Sequence, residues 1–99
     1  MPEIVVRAEA SADIADTYRF SVERFGHAVA EEYLVGLDAA IAGLADFPEL
    51  GPLQPGLTPP IRALPYRSHR IYYNFDGSVV TIVRIFHHAM DAAKRMSQG

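Results

Sequence analysis

HRIYYNFDGSVVTIVRIFHH, residues 69–88, reads as two apolar runs joined by Asp76-Gly77. An Asp-Gly pair between such runs is a strong hairpin signal, because a type I′ turn needs positive φ at both central positions. The same stretch carries Arg70, Arg84 and three of the chain's four histidines. Either the polar groups end buried strands or they mark a working surface.

A two-residue turn at Asp76-Gly77 predicts a register. Phe75 opposes Ser78, Tyr73 opposes Val80, Ile71 opposes Ile82 and Arg70 opposes Val83. Alternation then sorts the side chains. Ile71, Tyr73, Phe75, Val80, Ile82 and Phe86 fall on a core face. Arg70, Tyr72, Asn74, Val79, Thr81, Val83, Ile85 and His87 fall on a half-polar face that is only partly covered. In this register Arg70 and His87 project from the same face, near the end away from the turn. His69 and Arg84 oppose each other at the rim of the core face, where burial would demand an acidic or carbonyl partner. His87 and His88 are neighbours in a strand, so they point oppositely and do not share a metal. Only a helix start at His88 would bring Asp91 near either. No cluster with metal-ligand spacing exists, and no metal or cofactor is expected.

Upstream, EIVVR (residues 3–7) is a short β-branched run, a candidate strand. Ile14, Tyr18, Val22 and Phe25 recur at helical spacing within residues 9–25, and Gly26 stops the pattern. Val29, Tyr33, Leu37, Ile41, Leu44 and Phe47 make a second stripe over residues 27–47, closed by Pro48. So short a break predicts an antiparallel helical hairpin. PELGPLQPGLTPP, residues 48–60, holds five prolines and two glycines, which argues for an irregular loop. A helical hairpin alone has no second layer to bury its stripe, so this loop lies within one domain, residues 1–99. Residues 61–64 read as a short strand limited by Pro65, and residues 67–75 and 78–86 as the hairpin strands. The tail, 90–99, is a tail or short helix with little to bury. The expected class is α+β: an N-terminal strand, a helical hairpin, then a three-stranded antiparallel sheet, with the helices on one face.

Composition narrows the function classes. At 49% apolar and 21% charged the chain is an ordinary globular protein. It has no cysteine, which excludes a disulfide framework and fits a reducing compartment. The N-terminus shows no signal-peptide pattern, and no apolar stretch reaches the roughly 20 residues of a membrane span. Net charge is −3, but residues 1–60 carry ten acids against three arginines and residues 61–99 carry six bases against two acids. The basic C-terminal part suits an anionic or acidic partner.

The run SHRIYYNFDGSVVTIVRIFHHAMD, residues 68–91, resembles the C-terminal signature of ParE-type toxins of the RelE/ParE superfamily: an Arg-apolar-x-Tyr strand, a tight turn, then an apolar strand ending in His with Asp close behind. ADIADTYRF (12–20) is similar to that superfamily's first helix, and AEEYLVGLDAAIAGLADFPELG (30–51) to its second, with a Leu-x-x-x-Pro-x-x-Gly close. The resemblance spans nearly the whole chain, in order. It implies the toxin half of a type II toxin–antitoxin pair, acting in the cytoplasm on DNA gyrase and neutralised by a cognate antitoxin in a hetero-oligomer. A flexible antitoxin segment would add a strand or lay a helix on the toxin. The residues it points to for target or antitoxin binding are Arg67, Arg70, Tyr72, His87, His88 and Asp91. Parity sets Arg67 on the face opposite Arg70.

A second reading follows from the same superfamily. In its RelE branch, members cut mRNA on the ribosome, and Arg70 and His87 match the positions of a catalytic arginine and histidine. An acidic chain whose first lysine is Lys94 is poorly suited to counterion-release binding of RNA. A third reading is a module retained for partner binding without potency.

Overall fold

The computed structural model describes residues 2–57 and 59–98; Met1, Thr58 and Gly99, which belong to the N-terminal run, the proline-rich loop and the tail, lie outside the description. Seven elements follow one another: β1 (Glu3–Val6), α1 (Ala8–Phe25), α2 (His27–Gly43), β2 (Arg62–Tyr66), β3 (His69–Phe75), β4 (Val79–His87) and α3 (Ala92–Gln98). The class is α+β as expected, but the sheet has four strands in the order β1-β4-β3-β2. β1 runs parallel to β4, while the other two pairings are antiparallel.

The two long helices are separated by one residue. Gly26 has φ 88°, a left-handed conformation that costs glycine little. Its N–H closes α1 on the Val22 carbonyl and its own carbonyl accepts from Ala30 to open α2. Of the first stripe, Ile14, Tyr18 and Val22 are half-buried, but Phe25 is 61% exposed. It is the last residue of α1 and overhangs the core. The second helix is shorter than its stripe. It ends at Gly43, and the chain tightens into i→i+3 turns through Asp46, as helix ends commonly do. Phe47 is therefore exposed, Val29 in the first turn is exposed as well, and Ala30, Leu37, Ile41 and Leu44 are the buried set.

β2 extends past Leu64 to Tyr66 and includes Pro65. The proline is tolerated because β2 is an edge strand, where a missing N–H costs the ladder little. A two-residue turn, Arg67-Ser68, connects β2 to β3, with Arg67 at φ 48°.

The central hairpin forms, but not in the expected register. Asp76, Gly77 and Ser78 make the connection, and Asp76 Oδ1 accepts the N–H groups of both Ser78 and Val79 at 2.8 Å. These bonds hold the Asp76 carboxyl below its usual range. An Asx-type turn of this kind satisfies the backbone with a side chain. It lengthens the loop, so that Phe75 opposes Val80 and Tyr73 opposes Ile82. The register then slips once more: Tyr72 opposes Arg84, and Val83 is the extra residue of a β-bulge. A bulge reverses parity for everything beyond it. Ile71 thus shares a face with Ile85, Arg70 with Phe86, and His69 with His87.

Two cores result. On the helix side, Ile71, Tyr73, Val80, Ile82 and Ile85 pack with Ala10, Leu37, Ile41 and Leu44. Each large side chain fully withdrawn from water there is worth roughly 1.5–3 kcal/mol. On the outer side, Ile61, Ala63, Tyr72 and Phe86 form a smaller cluster, covered by Leu57 and by Ala92 and Met96 at the C-terminal segment. The tail therefore does bury apolar surface, because the bulge turns Phe86 outward and gives α3 something to cover.

Candidate functional site: the cationic end of the sheet

The bulge decides where the polar groups stand. Arg70 pairs with Phe86 across the β3–β4 ladder on the outer face, and Phe86 lies beneath two guanidiniums. Arg84 Cζ is 4.6 Å and Arg95 Cζ 5.9 Å from its ring centroid. Two arginines thus lie over one aromatic ring, a geometry in which the ring quadrupole attracts cations. Arg70 is half-buried, and no carboxylate among the described residues forms an ion pair with it.

Arg84 differs. Its Nε and Nη2 donate to Asp13 Oδ2 and Oδ1 at 2.8 and 3.0 Å. Bonding to Asp13 raises its pKa further, against a smaller effect of burial. The acidic partner expected for a rim arginine is present, but it comes from α1, and Arg84 opposes Tyr72 rather than His69. Beside these groups a groove of about 450 Å³ opens on the outer face. Its apolar lining includes Leu57, Ile61 and Met96, and its charged lining is Arg7, Glu9 and Arg84.

His87 is on the other side of the sheet. It opposes His69 while Arg70 opposes Phe86, so Arg70 and His87 project from opposite faces. The expected juxtaposition of those two residues does not occur. His87 and His88 also do not point apart: the strand ends at His87, and the two rings stack with centroids 4.4 Å apart. No group of three or more His, Cys, Asp or Glu residues with metal-binding geometry exists among the described residues.

Tyr72 was expected on an accessible face, but it is 3% exposed and packs against Phe86. It supports the surface without being part of it. Arg67 belongs to the β2–β3 turn rather than to β3. It is exposed, 3.7 Å from Glu32, and lies over the rings of Tyr33 and Tyr66. Asp91 is exposed and accepts the Lys94 N–H at 3.1 Å, starting α3.

Tyr33 and Asp13 carry no sequence signal of a site role. Tyr33 Oη lies 2.6 Å from His69 Nδ1 and 3.2 Å from Ser68 Oγ. Burial, then the neighbouring His87 and His88, lower the pKa of His69. Tyr33 stood out only as one position of an apolar stripe, and Asp13 as one acid among ten.

Among known proteins, the chain matches the family model described as "ParE toxin of type II toxin-antitoxin system, parDE" over residues 4–92. It is 32% identical over 83 residues to Toxin ParE1 of Caulobacter vibrioides, covering 84% of this chain and 85% of that one. It is 30% identical over 88 residues to Toxin ParE1 of Mycobacterium tuberculosis, covering 88% and 90%. A solved structure, "Chromosomal ParDE TA system from P. aeruginosa", matches its fold with a TM-score of 0.77 at 20% identity, over 88% of this chain and 96% of that one. By sequence across almost its whole length, and by a fold that agrees, this chain belongs to the ParE toxin family of type II toxin–antitoxin systems.

Proposed function

We propose that this protein is a growth-arresting toxin that inhibits DNA gyrase by binding it in the cytoplasm, without catalytic chemistry or a cofactor, and that a cognate antitoxin neutralises it as a hetero-oligomer. The family match supplies the class. The observation that carries the binding reading is Arg70: a half-buried guanidinium with no carboxylate partner among the described residues, beside a ring that two more arginines cover. Cations gathered on an aromatic platform suit an acidic protein surface or a DNA backbone.

Arg67, Arg70, His87, His88 and Asp91 are the proposed contacts for target or antitoxin. They divide between the outer face and the opposite rim, so a partner that touches all of them must wrap the end of the sheet. A segment that is disordered when free can do this, ordering as it binds. Asp13 of α1 neutralises Arg84 and Glu32 of α2 stands beside Arg67, whereas Arg70 has no carboxylate partner among the described residues.

The ribosome-dependent nuclease reading would need Arg70 and His87 to act together, and the ladder register sets them on opposite faces. Purified toxin with purified gyrase tests the proposal. Supercoiling is expected to fall, or cleaved DNA–gyrase complex to accumulate, and added antitoxin to reverse the effect. Undiminished supercoiling together with mRNA cut at ribosomal A sites would overturn it.

A further inference from the structure

One phenol and three imidazoles form a continuous series where the C-terminal segment leaves the sheet. Tyr33 Oη lies 2.6 Å from His69 Nδ1. The rings of His69 and His87 meet edge to face with centroids 5.6 Å apart, and His87 stacks on His88 at 4.4 Å. The series then grips backbone. The Ala89 N–H donates to His87 Nδ1 at 3.2 Å. The His88 N–H donates to the Ser68 carbonyl at 2.9 Å, and the Met90 N–H to the His87 carbonyl at 3.0 Å. These are the first anchors of the segment that continues into α3 and lays Ala92 and Met96 against the Tyr72–Phe86 cluster.

A ring nitrogen that accepts a hydrogen bond carries no proton. His87 therefore holds Ala89 only while it is neutral. Protonation would place an N–H at Nδ1, facing another N–H. The charged and titratable groups around the series come from two further elements. Tyr33 and Glu32 face it from α2, and Glu32 is already 3.7 Å from Arg67. Tyr66 and Arg67 face it from β2 and its turn, with Arg67 Cζ 5.7 Å from the Tyr33 ring. No carboxylate among the described residues is within ion-pairing distance of His69, His87 or His88. His69, half-buried at the centre, is pushed toward its neutral form by burial and by the other two rings.

We propose that Tyr33, His69, His87 and His88 form a proton-operated latch on the C-terminal segment: neutral rings pin Ala89 and the helix beyond it to the sheet, and acid releases them. Release uncovers Tyr72 and Phe86, the ring on which the arginines of the outer face gather. The inference rests on the hydrogen bonds above and holds whatever the target of the toxin.

Hydrogen exchange of the full chain, followed by NMR, tests it. Protection of the Ala89 and α3 amides, corrected for intrinsic exchange, is compared at about pH 7.5 and about pH 5.5, either side of the histidine range. A fall of about tenfold at the lower pH is expected, the worth of one lost hydrogen bond. His87→Asn places an uncharged acceptor where Nδ1 stood, and it should retain protection at both pH values. His87→Ala, which removes the ring acceptor, should show the low-pH protection at both pH values and serves if the first variant does not fold. Wild-type protection that is equal at the two pH values overturns the latch, as does a folded His87→Asn variant that responds to acid like wild type.

Discussion

Asp13 holds Arg84 with two hydrogen bonds, at 2.8 and 3.0 Å, and on the same carboxylate accepts the backbone N–H of Ile85 at 2.9 Å. β1 pairs with β4 only as far as Ile82, and the Arg7 N–H bonds the Ile82 carbonyl as the chain turns into α1. Beyond that point β4 runs on with its β1-side edge uncovered. Asp13 substitutes for the missing strand: it takes a ladder N–H that would otherwise lack a partner and pins the bulge at Val83. Helix, bulge and outer face are tied together by this one side chain.

Removing that tie should be costly. In Asp13→Ala both the Arg84 guanidinium and the Ile85 N–H lose their partner in a partly buried site, which we expect to cost about 2–3 kcal/mol. Arg84→Ala should cost less, because Asp13 keeps the Ile85 N–H. Urea denaturation of both single variants and the double variant checks the order. Equal losses, or additive ones, would contradict a shared clasp.

The helices, the hairpin and the strand order along the chain were legible because period and punctuation agree there: Gly26 breaks two 3.6-residue patterns, and Asp76-Gly77 separates two apolar runs. The site was not legible, for one reason. Face assignment depends on register, and register here depends on two features without a residue signature. Asp76 uses its carboxylate to stretch the turn, and Val83 bulges inside an unbroken apolar run where a β-branched residue looks like any other strand residue. One displaced residue moved Phe86 and His87 to the opposite faces. The role of Asp13 needed the same information, since nothing local links residue 13 to residue 84. Edge pairing by β1 is likewise a long-range property that the short run EIVVR does not announce.

Two glycines separate tolerance from intolerance. A Cβ at Gly51 would stand 2.9 Å from the backbone carbonyl of Ala63 and from the Tyr73 ring. Backbone and a fully buried ring cannot yield, so Gly51→Ala is expected to cost about 3 kcal/mol. At Gly36 the added carbon would overlap the Tyr66 hydroxyl, the outer end of a half-buried side chain. Tyr66 can swing outward, giving up its hydrogen bond to the Tyr33 carbonyl, while alanine gains about 1 kcal/mol of helix propensity. Gly36→Ala should therefore lose no more than about 1 kcal/mol. Chemical denaturation that ranks Gly36→Ala as the more harmful change would show the packing to be misread.

Alkaline pH should find Tyr73. Its hydroxyl accepts the Gly51 N–H at 2.9 Å, and burial raises the phenol above its ordinary 10.0, with that hydrogen bond opposing the shift. The folded state thus favours the neutral phenol. The associated stability is complete below the unfolded value and is lost as pH rises through the raised folded one. Tyr73→Phe leaves the Gly51 N–H without its partner and is expected to cost about 1–2 kcal/mol near neutral pH. It should also lose less stability than wild type between about pH 8 and about pH 11. Parallel loss in the two proteins would assign the alkaline transition to other groups.

The functional reading predicts a separation of effects at Arg70. Because this guanidinium has no carboxylate partner among the described residues, replacing it breaks no ion pair that supports the fold. Arg70→Ala should keep a melting transition close to that of wild type. An arginine beside an aromatic anchor is the kind of group whose truncation at an interface costs at least about 1–2 kcal/mol. We therefore expect half-inhibition of gyrase to require about tenfold more of the variant, or higher still for Arg70→Glu, which sets a like charge against an acidic partner. Asp13→Ala, by contrast, should lower stability and potency together, since it releases the element that positions the outer face. Full potency in a folded Arg70→Glu variant would remove the outer face from the toxin's mechanism and move attention to His87, His88 and Arg67 at the opposite rim.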